Sequence, residues 1–234
     1  MVIEPPALPN TTLSHQIGYR LISSKYPPIN LFDDVADNSE FELLFELQAM
    51  TNPRIQNEIG NLNLLPVSER PFGIPGCSYA MAPFTHINPD GSRFSDGDRG
   101  MLYIADSMDT ALMEVTHHQI SYWQKVEGLR YDRLVLRGLF CDFSADPLAD
   151  AKVLPPAHAI YNPDDYSAAR ALGAKLRSEG MAGIQYLSVR NPGATCWGLF
   201  TPRTIHSVQQ TAHYEMIWNG ETLSQINKIE TARP

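Results

Sequence analysis

The chain has 234 residues and a mass of 26.1 kDa, which is enough for one well-filled domain. Its 43% hydrophobic and 19% charged residues are typical of a globular protein and exclude wholesale disorder. The formal net charge of −8 argues against sequence-independent binding of DNA or RNA, because such binding needs a surplus of Lys and Arg to neutralise phosphates. No apolar run reaches the ~20 residues that span a bilayer, and the start lacks the basic and apolar regions of a secretory signal. We therefore expect a soluble, cytoplasmic protein that binds neither membranes nor nucleic acid directly.

The three cysteines are widely spaced and odd in number. Cys77, Cys141 and Cys196 form no C-x-x-C pair, which argues against a zinc knuckle or a thioredoxin-type redox pair. In a reducing cytoplasm, isolated cysteines of this kind are usually buried, reduced thiols. We expect that state for all three.

The first third of the chain combines one strand with a helical segment. Alternating side chains predict a strand over 16–23, in which Arg20 points away from Tyr19. A capping box that starts at Ser39 predicts a helix over 39–50, and a second short helix is predicted over 53–59. The proline-rich residues that follow, 66–77, are interpreted as a loop.

The rest of the chain alternates short apolar runs with two amphipathic helices. Asp106 or Ser107 caps a helix predicted from Met108 to about Lys125, and Asn219-Gly220 is a strong hairpin signal. The other predicted elements are strands over 77–84, 100–105 and 133–143, a loop over 144–163, a helix over 166–180, and strands over 183–187, 195–201, 205–210, 212–218 and 221–226. Strands dominate both ends without regular βαβ alternation, which predicts an α+β fold with mixed or antiparallel sheets.

Two familiar site motifs are incomplete in this sequence. Glu114-x-x-His117, with His118 beside it, has the spacing used in di-iron bundles, but the second copy that such a site needs is absent. Histidines on a solvated helix face are therefore the favoured interpretation, and a non-heme metal protein is the weakest alternative. The segment 97–100 is too short for a Walker loop and lacks its Lys-Ser/Thr end. We expect no metal and no prosthetic group.

A third set of motifs is dispersed along the chain. It consists of Tyr19-Arg20, Ser92-Arg93-Phe94, Tyr103-Ile104-Ala105, Ala111-Leu112-Met113-Glu114-Val115, Ser167 in Asp165-Tyr166-Ser167-Ala168, and Ser188 in Leu187-Ser188-Val189. Taken together, from about Tyr19 to Phe200, these motifs resemble the RES-domain family, which is named for an arginine, a glutamate and a serine. The corresponding family patterns are Tyr-Arg, Gly-Arg-Trp, Tyr-Leu-Ala, Ala-Leu-x-Glu-Val and two later serines.

The chain departs from the family pattern at four points. Phe94 replaces a tryptophan, Ser92 a glycine and Leu187 a proline, and 72 residues separate Arg20 from Arg93, more than a compact member needs. We therefore interpret 1–234 as a single RES domain with a helical insertion at about 28–75. Such an insertion would cover the site or dock a partner.

The resemblance implies a fold similar to ADP-ribosyltransferases and the activity of a bacterial toxin that consumes NAD⁺. The implied reaction cleaves the nicotinamide–ribose bond of NAD⁺, which is the substrate. The protein would be an NAD⁺ phosphorylase, a transferase that uses phosphate as co-substrate, or an NAD⁺ glycohydrolase, a glycosidase. The alternatives are an ADP-ribosyltransferase acting on a protein, or a catalytically idle RES-like protein-binding module. The implied partner is a small helical antitoxin encoded next to the toxin, often with its own DNA-binding domain.

The residue types fit this chemistry. The resemblance assigns catalysis to Glu114, Arg20 and Ser188, and binding of NAD⁺ to Tyr19, Arg20, Arg93, Tyr103, Ser167 and Ser188. The leaving nicotinamide is already cationic, so the barrier lies in the oxocarbenium-like sugar, which a carboxylate such as Glu114 stabilises. Arginines bind a pyrophosphate bidentately, an aromatic ring stacks on nicotinamide, and a serine hydroxyl orients the ribose or the carboxamide. Arg190 is a further cation that could serve phosphate, although a solvated arginine is the favoured interpretation.

Overall fold

The computed structural model describes residues 5–24 and 60–229. Its helices and strands, in chain order, are β1 (Asn10–Ser23), α1 (Cys77–Thr85), β2 (Leu102–Ala105), α2 (Met108–Trp123), β3 (Asp132–Asp150), α3 (Ser167–Ser178), β4 (Gly183–Leu187), β5 (Thr195–Leu199), β6 (Ile205–Trp218) and β7 (Leu223–Ile229). Short 3-10 turns lie at Leu62–Leu64, Val67–Glu69, Ala151–Val153, Ala159–Tyr161 and Pro202–Thr204. None of these helices is long and apolar enough to cross a membrane.

The seven strands found in the described residues belong to one mixed sheet. The strand order is β1-β2-β5-β4-β3-β6-β7, and β1 also pairs with β3 along most of its length. Strands β1, β2, β5, β4 and β3 therefore form a closed circuit of pairings, from which β6 and β7 extend. Among the pairings of the described strands, β3–β4 alone is parallel. This is the mixed, mainly antiparallel α+β architecture that the sequence predicts.

Strand β2 shows how the sheet separates two hydrophobic clusters. Because side chains alternate across a strand, Leu102 and Ile104 pack in the cluster that contains α1, whereas Tyr103 and Ala105 belong to the cluster with residues of α2 and α3. The approach of β1 to β2 is close, since a Cβ at Gly18 would lie 2.8 Å from Ile104 Cδ1. The strand that carries Tyr19 is thereby held directly beside the strand that carries Tyr103.

Several predicted elements are confirmed. Helix α2 starts at Met108 with Ser107 as its N-cap, whose side chain accepts a hydrogen bond from the Thr110 N–H. Strand β4 has the predicted bounds, and a turn at Asn219-Gly220 joins β6 to β7. These elements are encoded locally, by a capping side chain, a short apolar run bounded by turn residues, and a turn dipeptide.

The strand predicted over 77–84 is wrong, because these residues form α1. The buried positions Cys77, Ala80, Met81 and Phe84 follow the i, i+3, i+4, i+7 spacing of a helix face. The proline at position 83 lies in the last turn of α1, where the loss of one backbone N–H leaves the preceding turns intact.

The loop predicted over 144–163 is also partly wrong. Strand β3 continues to Asp150, pairing with β1 and then with β4, and two 3-10 turns follow it. The two strands predicted over 205–210 and 212–218 are the single strand β6. The helices predicted over 39–50 and 53–59 lie outside the described residues, as does most of the segment interpreted as an insertion; its last part, 60–75, contains two 3-10 turns.

Candidate active site

A hydrogen bond between Ser188 and Glu114 lies at the centre of the candidate site. The Ser188 hydroxyl, which is 6% exposed, donates to Glu114 Oε1 over 2.6 Å, across 74 residues of sequence. Its oxygen also accepts hydrogen bonds from the backbone N–H groups of Arg190 and Asn191, at 3.2 and 2.9 Å. Ser188 therefore fixes both the turn that follows β4 and the position of the Glu114 carboxylate.

A polar network ties the same turn to the start of α2. Asn191 Nδ2 donates to the buried Thr110 hydroxyl over 2.9 Å, and that hydroxyl donates to Asp106 Oδ1 over 2.9 Å. The other oxygen of Asp106 accepts from the Thr195 N–H at 2.7 Å. The helix that carries Glu114 and the turn that carries Ser188 are thus joined by side-chain bonds at two places.

Glu114 lines a cavity of about 700 Å³, within the size range of small-molecule sites. The charged side chains along its wall are the cations Arg20, Arg93, Arg99, Lys125 and Arg170 and the acids Asp90 and Glu114. Five positive and two negative charges give the described wall a net charge of +3, whereas the whole chain carries −8. The cavity is therefore a local positive site, which favours an anionic ligand.

Tyr103 presents its ring to this cavity while its hydroxyl is held in place. The hydroxyl accepts a hydrogen bond from the Phe94 N–H at 2.9 Å and is bonded to the Ser92 hydroxyl at 2.8 Å. Burial raises the pKa of Tyr103 above its ordinary value, although the hydrogen bonds from Ser92 and Phe94 act in the opposite direction. The side chain is a neutral, fixed aromatic surface, not an acid or base.

Arg93 and Arg170 hold the loop before β2 against α3 and the segment that precedes it. Arg93, 9% exposed, donates from Nη1 to the carbonyls of Ile160 and Asn162 at 3.0 and 2.9 Å. Arg170 donates in the reverse direction, to the carbonyls of Ser92 and Asp90 at 3.0 and 2.7 Å. Both guanidinium groups lie near the ring of Tyr166, with Arg93 Cζ 4.5 Å and Arg170 Cζ 6.0 Å from the ring centroid. One wall of the cavity is consequently rigid.

Arg20 reaches the site from β1. Its Nη1 donates to the backbone carbonyl of Tyr103 over 3.1 Å, so the arginine also braces the strand that presents the aromatic ring. Burial lowers the pKa of Arg20, but a guanidinium is so basic that it remains protonated at neutral pH. Arg20 is therefore a fixed positive charge at the cavity wall.

The structure brings together most of the side chains that the sequence analysis singles out. The cavity is lined by Tyr19, Arg20, Arg93, Tyr103 and Glu114, and Ser188 supports Glu114 from behind. Ser167 is not part of this wall: it is the exposed first residue of α3, and its backbone N–H donates to Asp165 Oδ1 at 2.9 Å. Arg190 donates to the carbonyl of Pro163 at 2.9 Å.

Sequence reasoning missed other parts of the wall, among them Arg170 and Tyr186. Tyr186, 6% exposed, packs edge-on against Phe94 with ring centroids 5.0 Å apart, and burial raises its pKa well above the ordinary value. Its place in the short buried strand β4 was the available signal, but a core tyrosine gives the same pattern. Cys196 also lines the cavity, and burial raises the pKa of its thiol to about 12, so it is a protonated thiol and not a nucleophile at neutral pH.

The residues in 5–24 and 60–229 contain no group of three or more His, Cys, Asp or Glu side chains arranged to hold a metal ion. His117 and His118 contact each other edge to face, with ring centroids 5.5 Å apart. The fold and the cavity together define an α+β protein in which one serine-anchored acid lies in a positively charged pocket.

Comparison with known proteins assigns the family. A family model described as the RES domain matches residues 70–219. "Uncharacterized protein y4oC" of Sinorhizobium fredii (strain NBRC 101917 / NGR234) is 30% identical over 222 residues, which cover 92% of this chain and 88% of that protein. The crystal structure of the M. tuberculosis MbcT–MbcA toxin–antitoxin complex aligns with a TM-score of 0.39 and 13% identity, covering 94% of this chain and 87% of the other. The chain belongs to the RES-domain family.

Proposed function

We propose that the protein consumes NAD⁺ by cleaving its nicotinamide–ribose bond, with phosphate or water as the acceptor. The family membership supports an NAD⁺-directed activity of this kind. The observation that carries the proposal is the placement of Glu114: its carboxylate is fixed by Ser188 on the wall of a cavity whose described charges are mainly positive. An acid in such a pocket suits a substrate that joins a pyrophosphate to a sugar on which positive charge develops.

Glu114 acts on the sugar. As the bond to nicotinamide stretches, positive charge grows on the ribose, and a fixed carboxylate beside it stabilises the transition state more than the ground state. Ser188 occupies Oε1 of that carboxylate, so the other oxygen is the one that faces the ribose. Preorganisation by the serine means that no reorientation of the acid is needed during the reaction.

The cations and aromatic rings bind the remainder of the substrate. Arg20 holds the pyrophosphate together with the N–H groups of Arg93 that are not used on the carbonyls of Ile160 and Asn162. The fixed ring of Tyr103 stacks on the nicotinamide, and Tyr19 on the adjacent strand adds another aromatic side chain of the wall.

The test is nicotinamide release from NAD⁺ by purified protein, measured with and without phosphate, beside the variant Glu114→Gln. Glutamine keeps the size of the side chain and an acceptor for Ser188 but removes the charge, so we expect a loss of about 100-fold or more in kcat. The matched control is Glu127→Gln, the same substitution at an exposed position beyond α2. The control should keep the wild-type rate.

Each result selects one reaction. Release that needs phosphate identifies a phosphorylase, whereas release in phosphate-free buffer identifies a hydrolase. Radiolabelled ADP-ribose that remains on protein identifies transfer to a protein acceptor. If wild-type protein releases no nicotinamide under any of these conditions, NAD⁺ cleavage is refuted and a catalytically idle binding module becomes the better description.

We propose in addition that the protein acts as a toxin held inactive by an antitoxin protein that binds over the cavity. Depletion of NAD⁺ explains toxicity directly, because the cofactor is needed throughout metabolism. Expression in bacteria should stop growth and lower cellular NAD⁺, and Glu114→Gln should abolish both effects. Growth arrest by the Glu114→Gln variant at equal expression would refute NAD⁺ depletion as the cause.

A further inference from the structure

One motif of the sequence is not used by the mechanism above: the two histidines that follow Glu114 on α2. The structure places the two histidines differently with respect to the cavity. His118 lines the cavity, whereas His117 is outside its wall. Residues four apart on a helix lie on the same face, about 5–6 Å apart at Cβ, so His118 is the neighbour of Glu114 one turn further along α2. His118 is also exposed, which places it at the solvent-facing rim of the cavity.

The surroundings of His118 favour its neutral form. Partial removal of the ring from water lowers the pKa of His118 below its ordinary value of 6.5, and the positive charges of His117, Arg190 and Arg93 act in the same direction. The carboxylate of Glu114 acts the opposite way and raises it. At neutral pH the imidazole therefore has a lone pair available to accept a proton.

We propose that His118 is the general base that activates water when the protein hydrolyses NAD⁺. The inference rests on the proposed function and extends it, because it names the group that serves the acceptor as distinct from the group that serves the sugar. Its basis is positional: a solvent-facing imidazole is one helical turn from the carboxylate that stabilises the ribose, on the wall of the same cavity.

Hydrolysis transfers the ribose from nicotinamide to water. The water oxygen forms a bond to C1′ of the ribose while the bond between C1′ and the nicotinamide nitrogen breaks. The electron pair of the broken bond stays on that nitrogen, which leaves as neutral nicotinamide. An imidazole nitrogen of His118 accepts one proton from the water and later releases it to solvent. The products are therefore ADP-ribose, nicotinamide and a proton. Phosphate arrives already as an anion and needs no such base.

The experiment compares His118→Ala with wild type in two reactions, nicotinamide release in phosphate-free buffer and release with saturating phosphate. We expect kcat of hydrolysis to fall about 100-fold or more, the usual contribution of a general base. Phosphate-dependent release should change by less than about 3-fold. In wild type, kcat/KM of hydrolysis should rise as pH increases through the lowered pKa of the histidine and level off above it, and this rise should be absent in the variant.

Two further measurements separate proton transfer from a structural effect. Added imidazole should restore part of the hydrolysis of His118→Ala, which it would not do if the ring were needed only for packing. His206→Ala is the matched control, since it removes an exposed imidazole on β6 that is not part of the cavity wall, and it should keep both rates. Thermal unfolding followed by circular dichroism checks that each variant is folded, and His118→Gln provides a second variant if His118→Ala is not.

The outcomes distinguish this inference from the proposed function. Hydrolysis that is unchanged in His118→Ala, or an equal loss of hydrolysis and phosphorolysis, would overturn the role of His118 while leaving NAD⁺ cleavage intact. Wild-type release that occurs only with phosphate would overturn it as well. Absence of nicotinamide release by wild type with either acceptor would instead contradict the proposed function, and the role of His118 with it.

Discussion

Replacing Ser188 with alanine tests whether the serine holds the candidate site together. The hydroxyl makes three hydrogen bonds, one donated to the Glu114 carboxylate at 2.6 Å and two accepted from the N–H groups of Arg190 and Asn191. Ser188→Ala removes all three while leaving the size of the side chain almost unchanged, so the effect arises from polar contacts and not from a cavity.

The magnitude follows from these contacts. A hydrogen bond to a charged group contributes about 1.5–3 kcal/mol, and a buried donor left without a partner costs about 1–3 kcal/mol. Because the turn can relax and water can reach part of it, we expect a total loss of about 3 kcal/mol in the free energy of unfolding. For a protein of this size, that corresponds to a fall of roughly 6–12 °C in Tm. A domain with the usual stability of about 5–15 kcal/mol remains folded.

The assay is equilibrium unfolding in urea, with Ser178→Ala as the control. Ser178 is exposed and its hydroxyl donates to the nearby carbonyl of Lys175, so its loss should change the free energy of unfolding by less than about 0.5 kcal/mol. A double-mutant cycle of Ser188→Ala with Glu114→Ala should give a coupling energy of about 1 kcal/mol or more. If Ser188→Ala is no more destabilising than the control, or if the two substitutions are additive, the serine does not anchor the acid.

Two further predictions concern buried groups away from the reacting bond. Burial raises the pKa of Cys141 and of Cys196 from 9.0 to about 12, so above pH 9 the unfolded chain loses these thiol protons before the folded chain does. The free energy of unfolding should therefore fall with rising pH, by up to about 1.4 kcal/mol per thiol per pH unit. Urea unfolding between pH 8 and 10 should show a shallower fall for Cys196→Ala than for wild type. Arg93→Lys should lower the free energy of unfolding by about 1–3 kcal/mol, because lysine cannot keep both carbonyl bonds and the contact with a tyrosine ring. The control Arg99→Lys, at a side chain 68% exposed, should change it by less than about 0.5 kcal/mol, and equal effects of the two substitutions would contradict the assigned role of Arg93.

The elements that could be predicted share a local cause. Helix α2 follows from its N-cap and the spacing of its apolar side chains, and the hairpin of β6 and β7 follows from Asn219-Gly220. Helix α1 was missed because a run of eight mostly apolar residues fits both a buried strand and a buried helix. Its packing against the sheet, with Ala80 and Met81 fully buried, decides between the two.

The candidate site, like the fold, could be predicted from the sequence only in part. The residue types were identified from dispersed motifs. Nothing in the spacing of those motifs indicates that Ser188 donates a hydrogen bond to Glu114, or that Arg93 Nη1 donates to two backbone carbonyls. Ser167 fits the family pattern equally well, but it lies outside the described cavity wall, at the exposed start of α3. A motif gives the identity of a side chain, whereas its direction depends on the backbone around it.

The sequence by itself determined the class of the fold, helices α2 and α3, the family, and several of the side chains that line the cavity, among them Arg20 and Glu114. Local periodicity, helix capping and short motifs encode each of these features. Tertiary structure alone decided which of those side chains meet. Strand pairing brings β4 beside β5 and β5 beside β2, and this places the turn of Ser188 against the helix of Glu114. Such contacts join residues 74 positions apart, and they depend on the packing of the whole sheet, which no local pattern records.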